Sequence, residues 1–253
     1  MFKPEQMRIA PAADPGGVMT AGAELRSGGT GPHANQRIAV AGAPLDAARL
    51  AVVMVHGRGG APEDMIGLAD HLALPDVAVL APAAADRSWW PESFLAPLGA
   101  NEPGLSSGLS VVEALLADLE AKGFGPERIA LVGFSQGACL ALEAAARLAR
   151  PFRAVAALSG GLLGTGEAGG APQDALYGRP EKAFEYEGRL DGVPILIGCH
   201  EQDPHIPLAR VRQSAAVLQE MGAALETLII PGAGHGIIAD EAAWLRKTLN
   251  QKS

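Results

Sequence analysis

Ile129-Ala130-Leu131-Val132-Gly133-Phe134-Ser135-Gln136-Gly137 decides how the rest of the chain is read. Its first four residues are an apolar run of strand character, and an Ala/Leu-rich stretch from Ala138 to Leu148 follows. The segment therefore reads strand, sharp turn, helix. Ser135 stands at the turn, and Gly133 and Gly137 beside it let the chain approach itself without Cβ clashes. A helix opening at Gln136 sets free N–H groups and the positive end of its dipole next to the serine hydroxyl. Such a turn places a nucleophile where negative charge will need support. The plainer alternative is a polar residue in an ordinary strand-to-helix turn.

Outward from this point, apolar strands alternate with helices. Leu50 to Val55 is continuously apolar, as in a strand buried on both faces. Pro62 to Leu72 carries Met65, Leu68, Ala69 and Leu72 on one helical face, and Val77 to Leu80 is the next strand. Ser110 and Glu113 have capping-box spacing, which predicts a helix start there, with Leu109, Val112, Leu115, Leu116 and Leu119 at helical intervals. Downstream, Ala154 to Leu158, Val193 to Ile197 and Leu225 to Ile230 read as strands. Pro207 suits the first turn of a helix carrying Leu208, Val211, Ala215 and Leu218, and Ile237 to Leu249 closes the chain as a helix.

This alternation predicts an α/β fold: a mostly parallel central sheet with helices on both faces, joined by right-handed crossovers. Ligands then bind beyond the carboxyl ends of the strands. Residues 1–36, rich in Gly, Pro and Ala, read as an N-terminal arm that is loosely structured or an edge hairpin, and residues 37–253 as one catalytic domain. Residues 84–106 and 160–190 read as irregular or turn-like, and they are the only material for a lid; a large cap domain does not fit.

With 253 residues, 48% hydrophobic and 19% charged, the chain has an ordinary soluble composition and enough length for a sizeable core. Its net charge of −8, without a Lys/Arg block, argues against a nucleic-acid partner. No apolar run is long enough to span a bilayer, and the N-terminus lacks an apolar signal region. Cys139 and Cys199 fit two buried, reduced thiols in a cytoplasmic protein. The sequence leaves open whether the chain forms a homo-oligomer.

A serine hydroxyl needs a base to remove its proton during attack, and histidine is the natural one. His235 follows the last strand in Pro231-Gly232-Ala233-Gly234-His235-Gly236. The imidazole needs an acceptor that fixes its tautomer. Asp203 follows a strand and falls between Ser135 and His235 in the chain, the order expected of such folds; Glu201 is its main rival. Asp191 precedes its strand and Asp240 sits in the closing helix. Donors for an oxyanion are expected from the backbone of Gln136 and from the glycine-rich loop His56-Gly57-Arg58-Gly59-Gly60. That loop lacks the Gly-Lys-Ser/Thr ending of a phosphate cradle. His200 and His205 flank Asp203 but match no familiar zinc spacing, so no metal is expected.

These marks together resemble the phospholipase/carboxylesterase group of α/β-hydrolases, which includes the acyl-protein thioesterases. The shared elements are His56-Gly57-x-Gly59, Gly133-Phe134-Ser135-Gln136-Gly137, the Asp203-Pro204 loop ending at Pro207, and Gly234-His235. The resemblance implies a triad of Ser135, Asp203 and His235, an oxyanion hole from the N–H groups of Arg58 and Gln136, no cofactor, and small-molecule esters or thioesters as substrates. The long N-terminal arm and Ser88-Trp89-Trp90-Pro91 depart from the group. Trp89 and Trp90 either line a substrate pocket or pack their loop. The expected activity is a serine carboxylesterase for small to medium esters. An acyl thioesterase or lysophospholipase is the alternative, and a non-catalytic ligand-binding scaffold is the rival from another class. A dienelactone-type hydrolase usually carries Cys where Ser135 stands.

Overall fold

The computed structural model describes residues 25–251. Seven strands form the central sheet: β1 (Ile38–Gly42), β2 (Leu50–Val55), β3 (Val77–Pro82), β4 (Ile129–Phe134), β5 (Ala154–Leu158), β8 (Pro194–Gln202) and β9 (Ala224–Ala233). Between β5 and β8 the chain makes a separate two-stranded ribbon, β6 (Gly166–Gln173) and β7 (Arg179–Ala183). The sheet runs β1-β3-β2-β4-β5-β8-β9, with β1 antiparallel to β3 and every other neighbour parallel. Five helices pack on it: α1 (Pro62–Leu72), α2 (Gly104–Ala121), α3 (Gln136–Leu148), α4 (Leu208–Glu220) and α5 (Ala239–Asn250).

The two-residue strand period sorts side chains onto opposite faces. In β2, Ala51, Val53 and Val55 join one core with α2, α3 and α4, where Val112, Leu116, Leu140 and Val211 are fully buried. Leu50, Val52 and Met54 join the other, with Met65 and Leu72 of α1 and Leu245 and Leu249 of α5. Both faces of β2 are covered, which explains its unbroken apolar run. Burial of one such side chain contributes about 1.5–3 kcal/mol.

Several local expectations change. β1 lacks a long apolar run because it is an edge strand: Ile38 is 7% exposed and Val40 56%. α2 starts at Gly104, not near Ser110. The Ser110 hydroxyl instead accepts from Thr30 N–H at 2.8 Å, tying the end of the N-terminal arm to the helix. Pro207 is the residue before α4, not part of its first turn. The segment expected to be turn-like at 160–190 contains the β6–β7 ribbon, whose first strand, GEAGGAPQ, is exposed and has no apolar face to read. Residues 1–24 of the expected arm lie outside the described residues; Arg26 makes an antiparallel bridge to Arg37. Among the described residues no helix is long and apolar enough to cross a membrane.

Candidate active site

Ser135 sits between β4 and α3 with φ 54° and ψ −117°, a left-handed backbone that costs energy for a non-glycine residue. Its neighbours are glycines for a steric reason. A Cβ on Gly133 would come within 2.1 Å of Gly137 O, and one on Gly137 within 2.1 Å of Val55 O. The turn is thus wedged against the end of β2. Ser135 N–H is anchored to Leu158 O at 2.9 Å on β5.

The loop between β9 and α5 carries His235 to this turn. Its Nε2 lies 2.8 Å from Ser135 Oγ, and its Nδ1 lies 2.7 Å from Asp203 Oδ2. Asp203 is 1% exposed and follows β8. Its other oxygen, Oδ1, accepts from His205 N–H at 2.8 Å and Ile206 N–H at 3.0 Å, a local turn that fixes the side chain. Burial pushes the Asp203 carboxyl upward, but the His235 hydrogen bond and the two amide donors outweigh it and hold it below the ordinary range. Its rival Glu201 is exposed and accepts from Gly232 N–H at 3.5 Å. The rings of Phe134 and His205 lie 5.3 and 4.9 Å from the His235 ring. His200 does not join them; it packs under Gly234.

The glycine-rich loop after β2 is set against the serine: a Cβ on Gly57 would lie 3.2 Å from Ser135 Cβ. Buried His56 holds this loop. Its Nε2 accepts from Ala84 N–H at 3.1 Å, so the ring proton is on Nδ1, which donates to Gly57 O at 2.7 Å. Burial lowers the pKa of His56 and favours this neutral form. Arg58 and Gln136 both line the cavity at Ser135.

Their side chains share one target, the loop at residues 88–92. The Arg58 guanidinium donates to Pro91 O and Glu92 O. Gln136 Oε1 accepts from Trp89 N–H at 2.8 Å while its Nε2 donates to Trp90 O at 2.8 Å. The two residues expected to supply oxyanion donors are therefore braced through a single loop. Reading the motif for backbone donors alone misses this side-chain role.

Trp89 does not line the cavity. It is fully buried, its Nε1–H donates to His56 O at 2.9 Å, and its ring packs between His33 and His56. An indole N–H needs a partner once buried, and the loop carbonyl supplies it. Trp90 does contribute to the cavity wall, although only 2% exposed.

The cavity holds about 550 Å³ and is lined by Ser135, His235, Trp90, Phe94, Tyr177 and Arg179, among others. Tyr177 and Arg179 come from the β6–β7 ribbon, and Tyr177 OH donates to Asp203 O. Neither has a periodicity or motif that marks it in the sequence. Cys139 also lines the cavity, but burial pushes its thiol up to about 12, so it stays protonated and is not the nucleophile. The geometry sets a hydroxyl, an imidazole and a carboxylate in one line, beside a pocket of ligand size.

A family model described as phospholipase/carboxylesterase matches residues 36–253. Acyl-protein thioesterase 1 of Gibberella zeae is 29% identical over 135 residues, covering 52% of this chain and 52% of its own. The chain thus spans about half the length of the curated relative it matches. Among solved structures, a phospholipase/carboxylesterase from Dyadobacter fermentans is 37% identical with a TM-score of 0.76, covering 88% of this chain and 100% of that one. Esterase PE8 is 27% identical with a TM-score of 0.65, covering 89% and 98%. A Bacillus cereus carboxylesterase, at 16% identity, TM-score 0.64 and coverage of 85% and 93%, shares the fold.

Proposed function

The chain belongs to the phospholipase/carboxylesterase family and has the α/β-hydrolase fold, and from that premise we propose that it is a serine esterase acting through Ser135, His235 and Asp203. The observation that carries the reading is the pair of contacts from one imidazole, 2.8 Å to Ser135 Oγ and 2.7 Å to Asp203 Oδ2. Ser135 Oγ attacks the ester carbonyl as His235 Nε2 takes its proton. Asp203 accepts the Nδ1–H, keeps the tautomer and supports the imidazolium. The carbonyl oxygen becomes an oxyanion, received by the N–H groups of Arg58 and Gln136. Collapse breaks the ester bond, and His235 returns its proton to the leaving alkoxide. The remaining acyl-enzyme is opened by water, with His235 again as base, releasing the acid and Ser135.

A cavity of about 550 Å³ suits a small to medium carboxylic ester. Acyl thioesters stand beside oxygen esters because one relative is an acyl-protein thioesterase, and the same steps cleave a C–S bond. Residues 37–253 act as the catalytic domain. The unpaired, buried Cys139 and Cys199 support a cytoplasmic setting. The test is Ser135→Ala against a panel of p-nitrophenyl acyl esters. Loss of turnover by about three orders of magnitude or more is expected; activity near wild type would remove the proposal.

A further inference from the structure

The β6–β7 ribbon brings to the cavity a cation, Arg179, that the ester chemistry leaves unused, and two more, Lys182 on the same ribbon and Arg210 on α4, lie buried nearby. Arg179 opens β7 and lines the cavity together with Ser135 and His235. Among the described residues its guanidinium has no hydrogen-bond or ion-pair partner. Lys182, on the same strand, is 3% exposed; its ammonium donates to Ala96 O at 2.6 Å and pairs with Glu167 at 2.6 Å. Arg210, from the first turn of α4, is fully buried. It makes one long hydrogen bond, 3.4 Å from Nη1 to Leu162 O, its guanidinium lies 5.2 Å from the centre of the Phe184 ring, and its Nε and Nη2 have no hydrogen-bond partner among the described residues.

Arg210 stands directly behind the cavity wall. A Cβ on Gly161 would touch both Arg210 Cγ at 3.3 Å and Phe94 Cε2 at 3.5 Å, and Phe94 lines the cavity. Burial lowers the Lys182 ammonium, Glu167 opposes that, and the charges of Arg210 and Arg179 add to the lowering, so the three cations feel one another. Glu167 is paired with Lys182, and Glu181, which accepts from the neutral Gln213 Nε2 at 3.0 Å, keeps its charge and acts on Arg210. Glu92 also lines the cavity, on the loop that carries Trp90 and Phe94.

A buried charge without a partner costs several kcal/mol, and native proteins pair such charges. Here Arg179 alone of the three stands on the cavity wall, without a partner among the described residues, while Arg210 lies buried behind that wall and Lys182 is paired with Glu167. We propose that the part of the cavity at Arg179 receives a carboxylate borne by the substrate, held by the Arg179 guanidinium. The guanidinium fork of Arg179 matches a carboxylate with two parallel N–H donors. The inference rests on the esterase reading of Ser135 for the position of the scissile bond: the preferred substrate is an ester that also carries a free acid group.

The experiment compares mono-p-nitrophenyl glutarate with the chain-matched p-nitrophenyl valerate, and 4-butyryloxybenzoate with phenyl butyrate. The first pair puts the acid on the acyl side, the second on the alcohol side. In the wild-type enzyme one pair favours the anionic ester. In Arg179→Gln that preference, taken as a ratio of kcat/KM values, falls by roughly ten- to hundredfold, and added salt of about 0.5 M weakens it in the wild type. A ratio unchanged by Arg179→Gln in both pairs overturns the inference. Calorimetric binding of glutarate to Ser135→Ala protein needs no turnover and separates this inference from the esterase reading. Glutarate binds Ser135→Ala and binds the Ser135→Ala, Arg179→Gln double variant at least about tenfold more weakly; equal affinities refute the site even if the enzyme hydrolyses esters.

Discussion

Replacing Gln136 by Ala tests whether the loop at 88–92 braces the catalytic turn. The backbone N–H of residue 136 survives the change, so the effect reports on the side chain. Two hydrogen bonds of 2.8 Å disappear, one from Trp89 N–H and one to Trp90 O. Both groups belong to residues 2% exposed or less, where water does not replace the amide. Trp89 N–H is left unpaired, at about 1–3 kcal/mol, whereas Trp90 O keeps the Ser88 hydroxyl at 2.8 Å and loses one bond of about 0.5–1.5 kcal/mol, so together they amount to about 1.5–4.5 kcal/mol. For a domain of this size that lowers the melting temperature by roughly 3–18 °C. The same loop receives the Arg58 guanidinium at Pro91 O and Glu92 O, so its loosening also releases the glycine-rich loop next to Ser135. kcat on p-nitrophenyl butyrate falls by roughly ten- to hundredfold, with a smaller change in KM. Thermal melting by circular dichroism and steady-state kinetics read the two effects. A melting temperature within about 2 °C of wild type, with kcat unchanged, would refute the brace.

Asp203→Asn lowers kcat by about 10⁴, because an amide no longer selects the Nδ1–H tautomer or supports the cation. The Asp203 carboxyl is held low in the folded protein, so its contribution to stability is complete above the unfolded value and is lost as pH falls through the native one. Urea midpoints measured below about pH 5 should decline less steeply in the variant than in the wild type. Glu241 behaves in the opposite sense. It is fully buried, Oε1 has no partner among the described residues, and burial pushes its carboxyl up to about 7 despite the Ile238 N–H donor. Its stabilising contribution is present in full below the ordinary carboxylate value and is lost as pH rises through about 7. Glu241→Gln keeps an acceptor for Ile238 N–H, so the variant gains about 3 kcal/mol on the wild type between about pH 5 and about pH 8; parallel stability curves would contradict this.

The parts legible in the sequence are those where one physical demand dominates. β2, β4 and β5 are buried on both faces and write themselves as unbroken apolar runs. The turn at Ser135 demands glycines at 133 and 137 because backbone oxygens lie where their Cβ atoms would be. His235 and Asp203 are readable because each follows a strand, and the structure brings His235 to Ser135 and Asp203 to His235. What was not legible depends on partners distant in sequence. Ser110 looks like a helix cap until Thr30 is seen to occupy its hydroxyl. Trp89 reads equally as pocket wall or loop packing until its indole is placed between two histidines. Tyr177 and Arg179 reach the cavity from a ribbon whose first strand is exposed and glycine-rich, so no hydrophobic pattern announces it. The second role of Gln136 belongs to its side chain, which the nucleophile motif does not specify.

Intact-protein mass spectrometry after brief exposure to a fluorophosphonate measures the central claim directly, because the reagent bonds fastest to a hydroxyl activated by a neighbouring base. One adduct per chain is expected, mapped by peptide sequencing to Ser135, lost in Ser135→Ala and strongly slowed in His235→Ala. An unlabelled wild-type protein, or an adduct that persists in Ser135→Ala, would contradict the account.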